Sequence, residues 1–297
     1  MTPRRGSSLS QAAELLRVRH YIKNVLVFAP LFFAGEIRNL PLLWNTAIAF
    51  LAFSLAASGV YVLNDCIDIA HDREHPTNRM RPIAAGWISA QLAISLCVLL
   101  FVVSGLLMSY VSLGGAQILG IYVALNVAYS FLLKHVAILD VTVIAAGFVL
   151  RLYVGAAVTA IELSIWIVVI TFLFALFLAF AKRRNDVLLF LETGAKARKT
   201  VDGYSLHFLD TAMAIMASVV IVSYILYTTS AEVLARIHGN YLYLTALFVI
   251  LGILRYMQVA FVNEDAGSPT DILWKDRFIQ ADSVCWVLAF AWILYSG

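Results

Sequence analysis

Apolar runs of about 20 residues follow one another through most of this chain and restrict the folds that it can adopt. A helix needs about this length to cross the hydrocarbon core of a bilayer. The strands of a membrane β-barrel would instead alternate apolar and polar residues over about ten positions. Hydrophobic residues make up 62% of the chain and charged residues only 13%, about half the charged share of a soluble domain. The sequence therefore predicts an all-α, polytopic membrane helical bundle.

Nine apolar segments are candidates for transmembrane helices, and the first of them is short enough to be a half-buried helix instead. The nine segments cover residues 22–36, 42–62, 88–110, 114–132, 137–158, 163–181, 209–230, 239–261 and 277–296. We expect residues 1–20 to be a cytoplasmic N-terminal segment and residues 21–297 to be a single transmembrane domain. The first 20 residues lack the apolar stretch of a signal peptide. Three cysteines without a pairing pattern indicate no disulfide framework.

Lysine and arginine residues concentrate on one side of this topology. With the N-terminus in the cytoplasm, 17 of the 21 basic residues fall in the N-terminal segment or in loops on the same side. The positive-inside rule assigns such a side to the cytoplasm. The three long loops, at 63–87, 182–208 and 262–277, therefore face the cytoplasm in this interpretation.

The first long loop contains the segment LNDCIDIAHDREHPTNRMRPIAAG, which is unusually polar for this chain. Asn64, Asp68 and Asp72 are spaced i, i+4, i+8, so a helix presents all three along one side. Oxygen ligands without a His or Cys pattern suit a hard ion, above all Mg²⁺, which completes its coordination with substrate phosphates. An ordinary solvated loop is the alternative, but Asn and Asp are costly at the end of a membrane helix unless they have a function.

Three arginines follow these carboxylates in the same loop, at Arg73, Arg79 and Arg81. Arginine is a natural partner for phosphate oxygens because its planar guanidinium donates two parallel hydrogen bonds. Carboxylates for a metal beside arginines for phosphates predict a magnesium–diphosphate site at the membrane surface.

The segment NDCIDIAHD resembles the NDxxDxxxD signature of the UbiA superfamily of intramembrane prenyltransferases. This resemblance implies a bundle of nine transmembrane helices, with Asp-rich cytoplasmic loops over a central cavity. It also implies that Mg²⁺, held by Asn64, Asp68 and Asp72, binds a diphosphate and helps it to leave.

Four segments resemble one branch of that superfamily, whose members transfer a phosphoribosyl group to decaprenyl phosphate: RVRHYIKNVLVFAPL, NDCIDIAHDREHPTNRMRPIAAG, YSFLLKH and KRRNDVLLFLETGAKARKTVDGYS. The resemblance implies a pentosyltransferase that moves 5-phosphoribosyl from phosphoribosyl diphosphate to a polyprenyl phosphate and releases pyrophosphate. It further implies a role in cell-wall arabinan precursor synthesis, in the bacterial inner (plasma) membrane with the active site facing the cytoplasm. No nucleic acid is expected as a partner, and the oligomeric state stays open.

The second long loop departs from the superfamily pattern. Ordinary prenyltransferases carry a second DxxxD motif there, whereas this loop offers Asp186 alone near the helix end. Basic residues surround it, namely Lys182, Arg183, Arg184, Lys196, Arg198 and Lys199. This composition makes a poor second metal site and a good anion site, and it favours a lipid monophosphate as the second substrate. A positive-inside anchor explains the residues beyond Arg184 as well.

Several ionisable residues lie within or at the ends of predicted spans. Asp140 and Arg151 share one span, eleven residues apart and on nearly the same face, where ionisable groups should face the interior and find partners. For both, a structural role is as good an interpretation as substrate contact. Lys134 and Tyr129 end the fourth span, where they would reach a phosphate and a sugar, and Lys23 begins the first. Snorkelling is the alternative for the lysines.

The candidate site residues fall into three groups. The catalytic candidates are Asp68, Asp72 and Lys134; the substrate-binding candidates are Lys23, Asn64, Arg73, Arg79, Arg81, Tyr129, Arg151, Lys182, Arg183 and Asp186; the metal ligands are Asn64, Asp68 and Asp72.

Two other functions stay open at this point. A prenyltransferase that moves an isoprenyl group from its diphosphate to an aromatic or other acceptor would use the same first motif, but it should need the second acidic motif. A cation-coupled transporter would place its ion ligands near the bilayer midplane on broken helices, whereas these carboxylates lie at one surface.

Overall fold

The computed structural model describes residues 8–74, 78–194, 199–236, 241–262, 272 and 274–295, and no β-strand lies within these ranges. The α-helices are α1 (Ser8–Leu15), α2 (Ala29–Phe33), α3 (Leu40–Ile67), α4 (Ile69–Glu74), α5 (Ala90–Val111), α6 (Leu113–Phe131), α7 (Leu139–Thr159), α8 (Ile165–Thr193), α9 (Leu206–Thr228), α10 (Ala231–Arg236), α11 (Ala246–Val262) and α12 (Arg277–Tyr295). Short 3-10 helices cover Val18–Phe28, Asn78–Met80, Leu133–His135, Lys199–Gly203 and Leu242–Thr245.

Eight helical segments of the described residues are long and apolar enough to cross a membrane. They comprise α3, α5 to α8, α9 with α10, α11 with the 3-10 turn before it, and α12. Each coincides with one predicted span to within a few residues at most ends, which confirms a multi-pass membrane protein built from helices.

The remaining predicted span, 22–36, is not a membrane-length helix. It consists of the 3-10 helix Val18–Phe28 and the five-residue α2, with Pro30 in the first turn of α2. Proline donates no backbone N–H and so interrupts a continuous α-helical ladder. Val27 and Leu31 are fully buried, whereas Ile22 and Val25 are 46% and 48% exposed. One side of the segment therefore packs against the protein, and the count of nine spans stays a prediction.

Both long loops near the candidate site are more helical than the sequence predicted. Helix α3 continues to Ile67, and after Asp68 the chain resumes as α4. Helix α8 continues to Thr193, twelve residues past the predicted end of its span, so that Lys182–Asp186 is helical rather than part of a loop. Gly194 ends α8 in the left-handed conformation (φ 68°), which glycine adopts without strain.

The chain forms two compact units, each with its own core. The first comprises Met1–Lys134 and Leu150–Glu162, and the second comprises His135–Val149 and Leu163–Gly297. The expectation of a single domain over 21–297 stays a prediction.

Small residues of α3 allow close packing against α5 in the first unit. The Ser104 hydroxyl donates to the Ala52 carbonyl at 2.8 Å, and the Cys97 thiol donates to the Gly59 carbonyl at 3.3 Å. A Cβ at Gly59 would lie 2.7 Å from the Phe101 ring. Such contacts supply the packing that hydrophobicity alone does not provide between membrane helices.

A polar contact joins three helical elements inside the second unit. The Trp286 indole of α12 donates to the Tyr224 hydroxyl of α9 at 2.8 Å, and that hydroxyl lies 2.7 Å from the Thr245 hydroxyl at the start of α11. Phe177, Leu209 and Met213 are fully buried in the apolar core of this unit.

Replacing Gly155 with alanine tests the packing of the 3-10 helix against α7. A Cβ at Gly155 would overlap the Val27 carbonyl oxygen and lie 3.0 Å from Pro30 Cδ. Since the obstacle is backbone, we expect Gly155→Ala to lower the free energy of unfolding by about 2–3 kcal/mol. Thermal unfolding in detergent measures this. Gly120→Ala is the control, because no atom lies within 4 Å of its Cβ; equal melting temperatures for the two variants would contradict the prediction.

Candidate functional site

The first ionic cluster lies where α3 ends and α4 begins. The backbone N–H groups of Asp68 and Asp72 donate to the carbonyls of Asn64 and Asp68 at 3.0 and 2.8 Å, so the helical repeat continues through the junction. The Asn64 side-chain amide donates to Asp68 Oδ2 at 3.1 Å. The sequence spacing i, i+4, i+8 thus corresponds to one continuous helical path at the end of a membrane span.

Every aspartate of this motif is paired with a cation. Lys134 Nζ lies 2.7 Å from Asp68 Oδ1, and Arg81 Nη1 lies 2.7 Å from Asp72 Oδ2 and 3.1 Å from Asp65 Oδ1. The side chains of Asp65 and Asp72 are each only 3% exposed, whereas that of Asp68 is 26% exposed. Buried carboxylates need such partners because desolvation penalises an isolated charge by several kcal/mol.

The three arginines of the loop have different roles in the structure. Arg81 binds two carboxylates, as described above. Arg73 Nε donates to the Ala84 carbonyl at 3.2 Å and so fastens α4 to the last part of the loop. Arg79 lies on the surface. The structure therefore brings one of the three predicted phosphate ligands directly to the carboxylates.

Asn64, Asp68 and Asp72 suit magnesium by their donor chemistry, since all three offer oxygen atoms. In the part of the chain that the structure describes, no group of three or more His, Cys, Asp and Glu side chains is gathered closely enough to hold a metal ion. Lys134 and Arg81 occupy oxygens that a divalent cation would use. The residues fit the ion, and its binding would need these two cations to change partners.

A second ionic cluster lies in the second unit around Asp140, which is fully buried. Asp140 Oδ2 accepts from Arg183 Nε and Oδ1 accepts from the Tyr204 hydroxyl, both at 2.6 Å. Arg183 Nη1 also donates to Asp186 Oδ2 at 2.8 Å. The guanidinium, 1% exposed, thus neutralises two carboxylates.

Tyr204 is a site residue that the sequence analysis missed, since its partner Asp140 lies 64 residues away. Its hydroxyl accepts the backbone N–H of Ile138 at 2.7 Å, and Ile138 has φ 71°, which is rare for a β-branched residue. Burial, reinforced by the hydrogen bond to Asp140, raises the pKa of Tyr204 well above its ordinary range.

The basic residues of the predicted anion site are largely engaged by the protein itself. Arg184 Nε lies 2.7 Å from Asp210 Oδ1, and its Nη1 donates to the Ala260 carbonyl at 2.7 Å. Lys182 is half-buried on α8. The predicted excess of cations is therefore reduced by Asp140 and Asp210, which the sequence did not connect to this segment. Three predicted positions lie outside the described residues or side chains: Lys196, Arg198 and Lys199.

Arg151 is buried in the first unit with partners other than Asp140. Its Nε donates to Asn24 Oδ1 at 2.8 Å, and its guanidinium lies over the rings of Phe53 and Tyr122, 4.8 and 5.2 Å from their centroids. Asn24 in turn donates to Ser54 at 2.9 Å. The contacts fasten the 3-10 helix Val18–Phe28 to α3 and α7, which is a structural role.

Two further candidates, Lys23 and Tyr129, are half-buried in the first unit. Their assignment to the substrate stays a prediction.

Membrane-spanning helices that carry carboxylate–cation clusters at their ends define a polytopic membrane protein with a charged site at a helix junction. The UbiA prenyltransferase family matches residues 25–281, and the chain belongs to that family. The predicted family, the helical membrane fold and the prediction of a transferase rather than a transporter are thereby confirmed.

Relatives with known names match nearly the whole chain. It is 35% identical over 291 residues to a decaprenyl-phosphate phosphoribosyltransferase of Mycobacterium tuberculosis, covering 95% of this chain and 91% of that protein. It is 33% identical over 285 residues to the protein of the same name from Corynebacterium glutamicum, covering 94% and 85%. Its fold is similar to a UbiA homolog from Archaeoglobus fulgidus bound to DMAPP and Mg²⁺, with a TM-score of 0.71, 18% identity, and coverage of 96% and 99%.

Tyr204→Phe tests the second cluster. The change removes the acceptor of the Ile138 N–H and one of the two donors to Asp140 Oδ1, which keeps the bond from the Val141 N–H at 2.9 Å. We expect it to lower the free energy of unfolding by about 1–3 kcal/mol at neutral pH. The folded protein retains the Tyr204 phenolic proton to higher pH than the unfolded chain does. The wild type therefore exceeds the variant in free energy of unfolding by a constant amount below pH 10, the ordinary pKa of tyrosine, and by a shrinking amount above it.

Thermal unfolding of both proteins across the neutral and alkaline range measures this dependence. Tyr110→Phe is the matched control, since that side chain is 82% exposed. A difference between wild type and Tyr204→Phe that grows with rising pH would contradict the assignment.

Proposed function

We propose that the protein transfers 5-phosphoribosyl from phosphoribosyl diphosphate to a polyprenyl (decaprenyl) phosphate and releases pyrophosphate. The observation that carries this proposal is the first cluster, in which Lys134 and Arg81 bind the carboxylates of Asp68 and Asp72. The same few residues supply oxygen ligands for a cation and positive groups for phosphates. The names of relatives that match over nearly the whole chain support the choice of substrates.

We assign Asn64, Asp68 and Asp72 as the residues that would hold Mg²⁺. When bound, Mg²⁺ supplies charge stabilisation for the departing diphosphate. Lys134 and Arg81, displaced from the carboxylates, then bind the phosphate oxygens of the donor. Arg73 and Arg79 extend this positive surface along the loop, and Tyr129 and Lys23 are assigned to the donor's sugar and phosphates.

The transfer itself needs no general base. An oxygen of the lipid phosphate, already anionic, forms the new bond to the ribose anomeric carbon. The bond from that carbon to the diphosphate breaks, and pyrophosphate leaves with the electron pair. The reacting carbon develops oxocarbenium character, so the protein contributes mainly by orienting its substrates and by stabilising the leaving group.

The acceptor phosphate is assigned to the segment that contains Lys182, Arg183 and Asp186. Lys182 is the half-buried cation of this segment, and the Arg183–Asp186 pair, 2.8 Å apart, lies on the next turn of α8. The polyprenyl tail lies in the bilayer, and the basic side of the protein lies in the cytoplasm of a bacterium, at its inner membrane. The product serves cell-wall arabinan synthesis.

A second candidate is isoprenyl transfer from an isoprenyl diphosphate to an aromatic or other acceptor. The similarity to a UbiA homolog bound to DMAPP and Mg²⁺ favours it. The segment at Asp186 counts against it, because a second diphosphate–metal site would need further carboxylates there, and Arg183 already neutralises Asp186.

Asp68→Ala tests the proposed reaction in detergent-purified protein supplied with Mg²⁺, labelled phosphoribosyl diphosphate and polyprenyl phosphate. We expect labelled lipid from the wild type and a rate lower by about 100-fold or more from the variant, since leaving-group stabilisation is lost. Glu162→Ala, an exposed carboxylate in a connection between spans, is the control and should keep the wild-type rate. Turnover of an isoprenyl diphosphate without any labelled lipid would select the second candidate instead.

Lys134→Met tests whether Lys134 competes with the metal and serves the phosphate. Methionine keeps the length of the side chain but removes the ammonium that lies 2.7 Å from Asp68. We expect Mg²⁺, titrated without substrate by calorimetry, to bind about threefold to tenfold more tightly, because Asp68 loses its competing cation. Turnover should nevertheless fall by at least about tenfold. Lys275→Met, at an exposed position, is the control. Unchanged metal affinity in Lys134→Met would contradict the proposed exchange.

A further inference from the structure

One face of α3 binds residues 16–24, which precede it in the chain, through hydrogen bonds. Its residues Ser54, Ser58, Tyr61 and Asp65 are spaced four, three and four apart, so they lie on the same side of the helix. The Ser58 hydroxyl donates to the Leu16 carbonyl at 2.8 Å and accepts from the Tyr21 hydroxyl at 2.9 Å.

Arg17 lies at the centre of this contact in a strained backbone conformation. Its φ and ψ of 50° and 47° are left-handed, which is uncommon for a residue other than glycine. Its guanidinium lies 4.5 Å from the centroid of the Tyr61 ring, and its Nη2 donates to Asp65 Oδ1 at 2.6 Å. Such conformations persist where surrounding contacts hold them, and they occur disproportionately at functional sites.

Asp65 is the point at which Arg17 meets the candidate active site. The Asp65 Oδ1 atom accepts from Arg17 Nη2 and also from Arg81 Nη1 at 3.1 Å. The same Nη1 atom of Arg81 donates to Asp72 at 2.7 Å. A buried carboxylate thus lies between one arginine of the N-terminal segment and one arginine of the proposed phosphate site.

We propose that Arg17 is a positioning residue, which fixes Arg81 through Asp65 for binding the diphosphate of the donor. Arg17 neutralises Asp65, so Arg81 needs to supply only part of the charge that this buried carboxylate requires. Without Arg17, Asp65 would draw Arg81 inward and away from the substrate, since an uncompensated buried charge is costly. The inference rests on the proposed use of a diphosphate donor.

The experiment compares Arg17→Ala with Arg19→Ala in the full-length, detergent-purified protein. Arg19 belongs to the same segment and carries the same charge, but it is exposed. Calorimetry with phosphoribosyl diphosphate and Mg²⁺ gives Kd, and steady-state assays give KM and kcat. For Arg17→Ala we expect Kd and KM for the donor to rise about tenfold. Its kcat and its KM for polyprenyl phosphate should stay within about twofold of the wild-type values. All the constants of Arg19→Ala should stay within the same limits.

Two further variants separate positioning from folding. Arg17→Lys keeps the charge beside Asp65 but loses the planar guanidinium over Tyr61. We expect it to recover part of the donor affinity, to between that of Arg17→Ala and that of the wild type, because the charge still neutralises Asp65. Asp65→Asn should also weaken donor binding. The double variant Arg17→Ala/Asp65→Asn should have a donor Kd no higher than that of the single variant with the higher Kd, because both residues act through the same contact.

Equal donor affinities in Arg17→Ala and Arg19→Ala would overturn the inference, and so would a parallel loss of kcat and of affinity for both substrates. The same titrations with dimethylallyl diphosphate keep this outcome apart from a failure of the proposed function. If the wild type binds only the isoprenyl diphosphate, the proposed donor is wrong. A tenfold loss of that binding in Arg17→Ala would still support the role of Arg17.

Discussion

The need to neutralise carboxylates inside an apolar protein governs the arrangement of the charged residues. Asp65, Asp72 and Asp140 are almost completely buried, and each binds an arginine at 2.6 or 2.7 Å. Removing a carboxylate from water costs several kcal/mol, and a partner of opposite charge offsets that cost only at close range and with good geometry.

This constraint has a consequence for the proposed chemistry. In the pairs Lys134–Asp68 and Arg81–Asp72, the cations that suit phosphate oxygens bind the carboxylates that suit a metal ion. Binding of a metal and a diphosphate together can replace each pair without leaving a charge uncompensated, because the metal takes the carboxylates and the phosphates take the cations. A substrate that brings both charges is accommodated at less cost than the metal alone, which favours binding of the two as a complex.

The transmembrane helices could be predicted from the sequence because hydropathy is a local property, and Ala90–Val111 and Leu113–Phe131 agree with their predicted spans to within two residues. The failures arise where tertiary contacts outweigh the local pattern. With Asn24 and Pro30 buried, residues 22–36 form a 3-10 helix followed by the short α2 instead of one membrane-length helix. Helix α8 continues through KRRND because Arg183 and Arg184 find acceptors 43 and 26 residues away. The spacing of the first motif predicted its helical geometry, whereas no local signal connected Asp65 to Arg17.

Asp140 and Arg151 show what the helical repeat can predict about charged residues inside a membrane helix. Their spacing of eleven residues predicts a shared face but also a separation of about 16 Å along the axis, too far for an ion pair. Each is accommodated at its own depth: Asp140 by an arginine and a tyrosine hydroxyl, and Arg151 by an amide oxygen and two ring faces. Periodicity identifies the side of the helix on which a charge is stabilised, and the neighbouring elements determine which groups bind it.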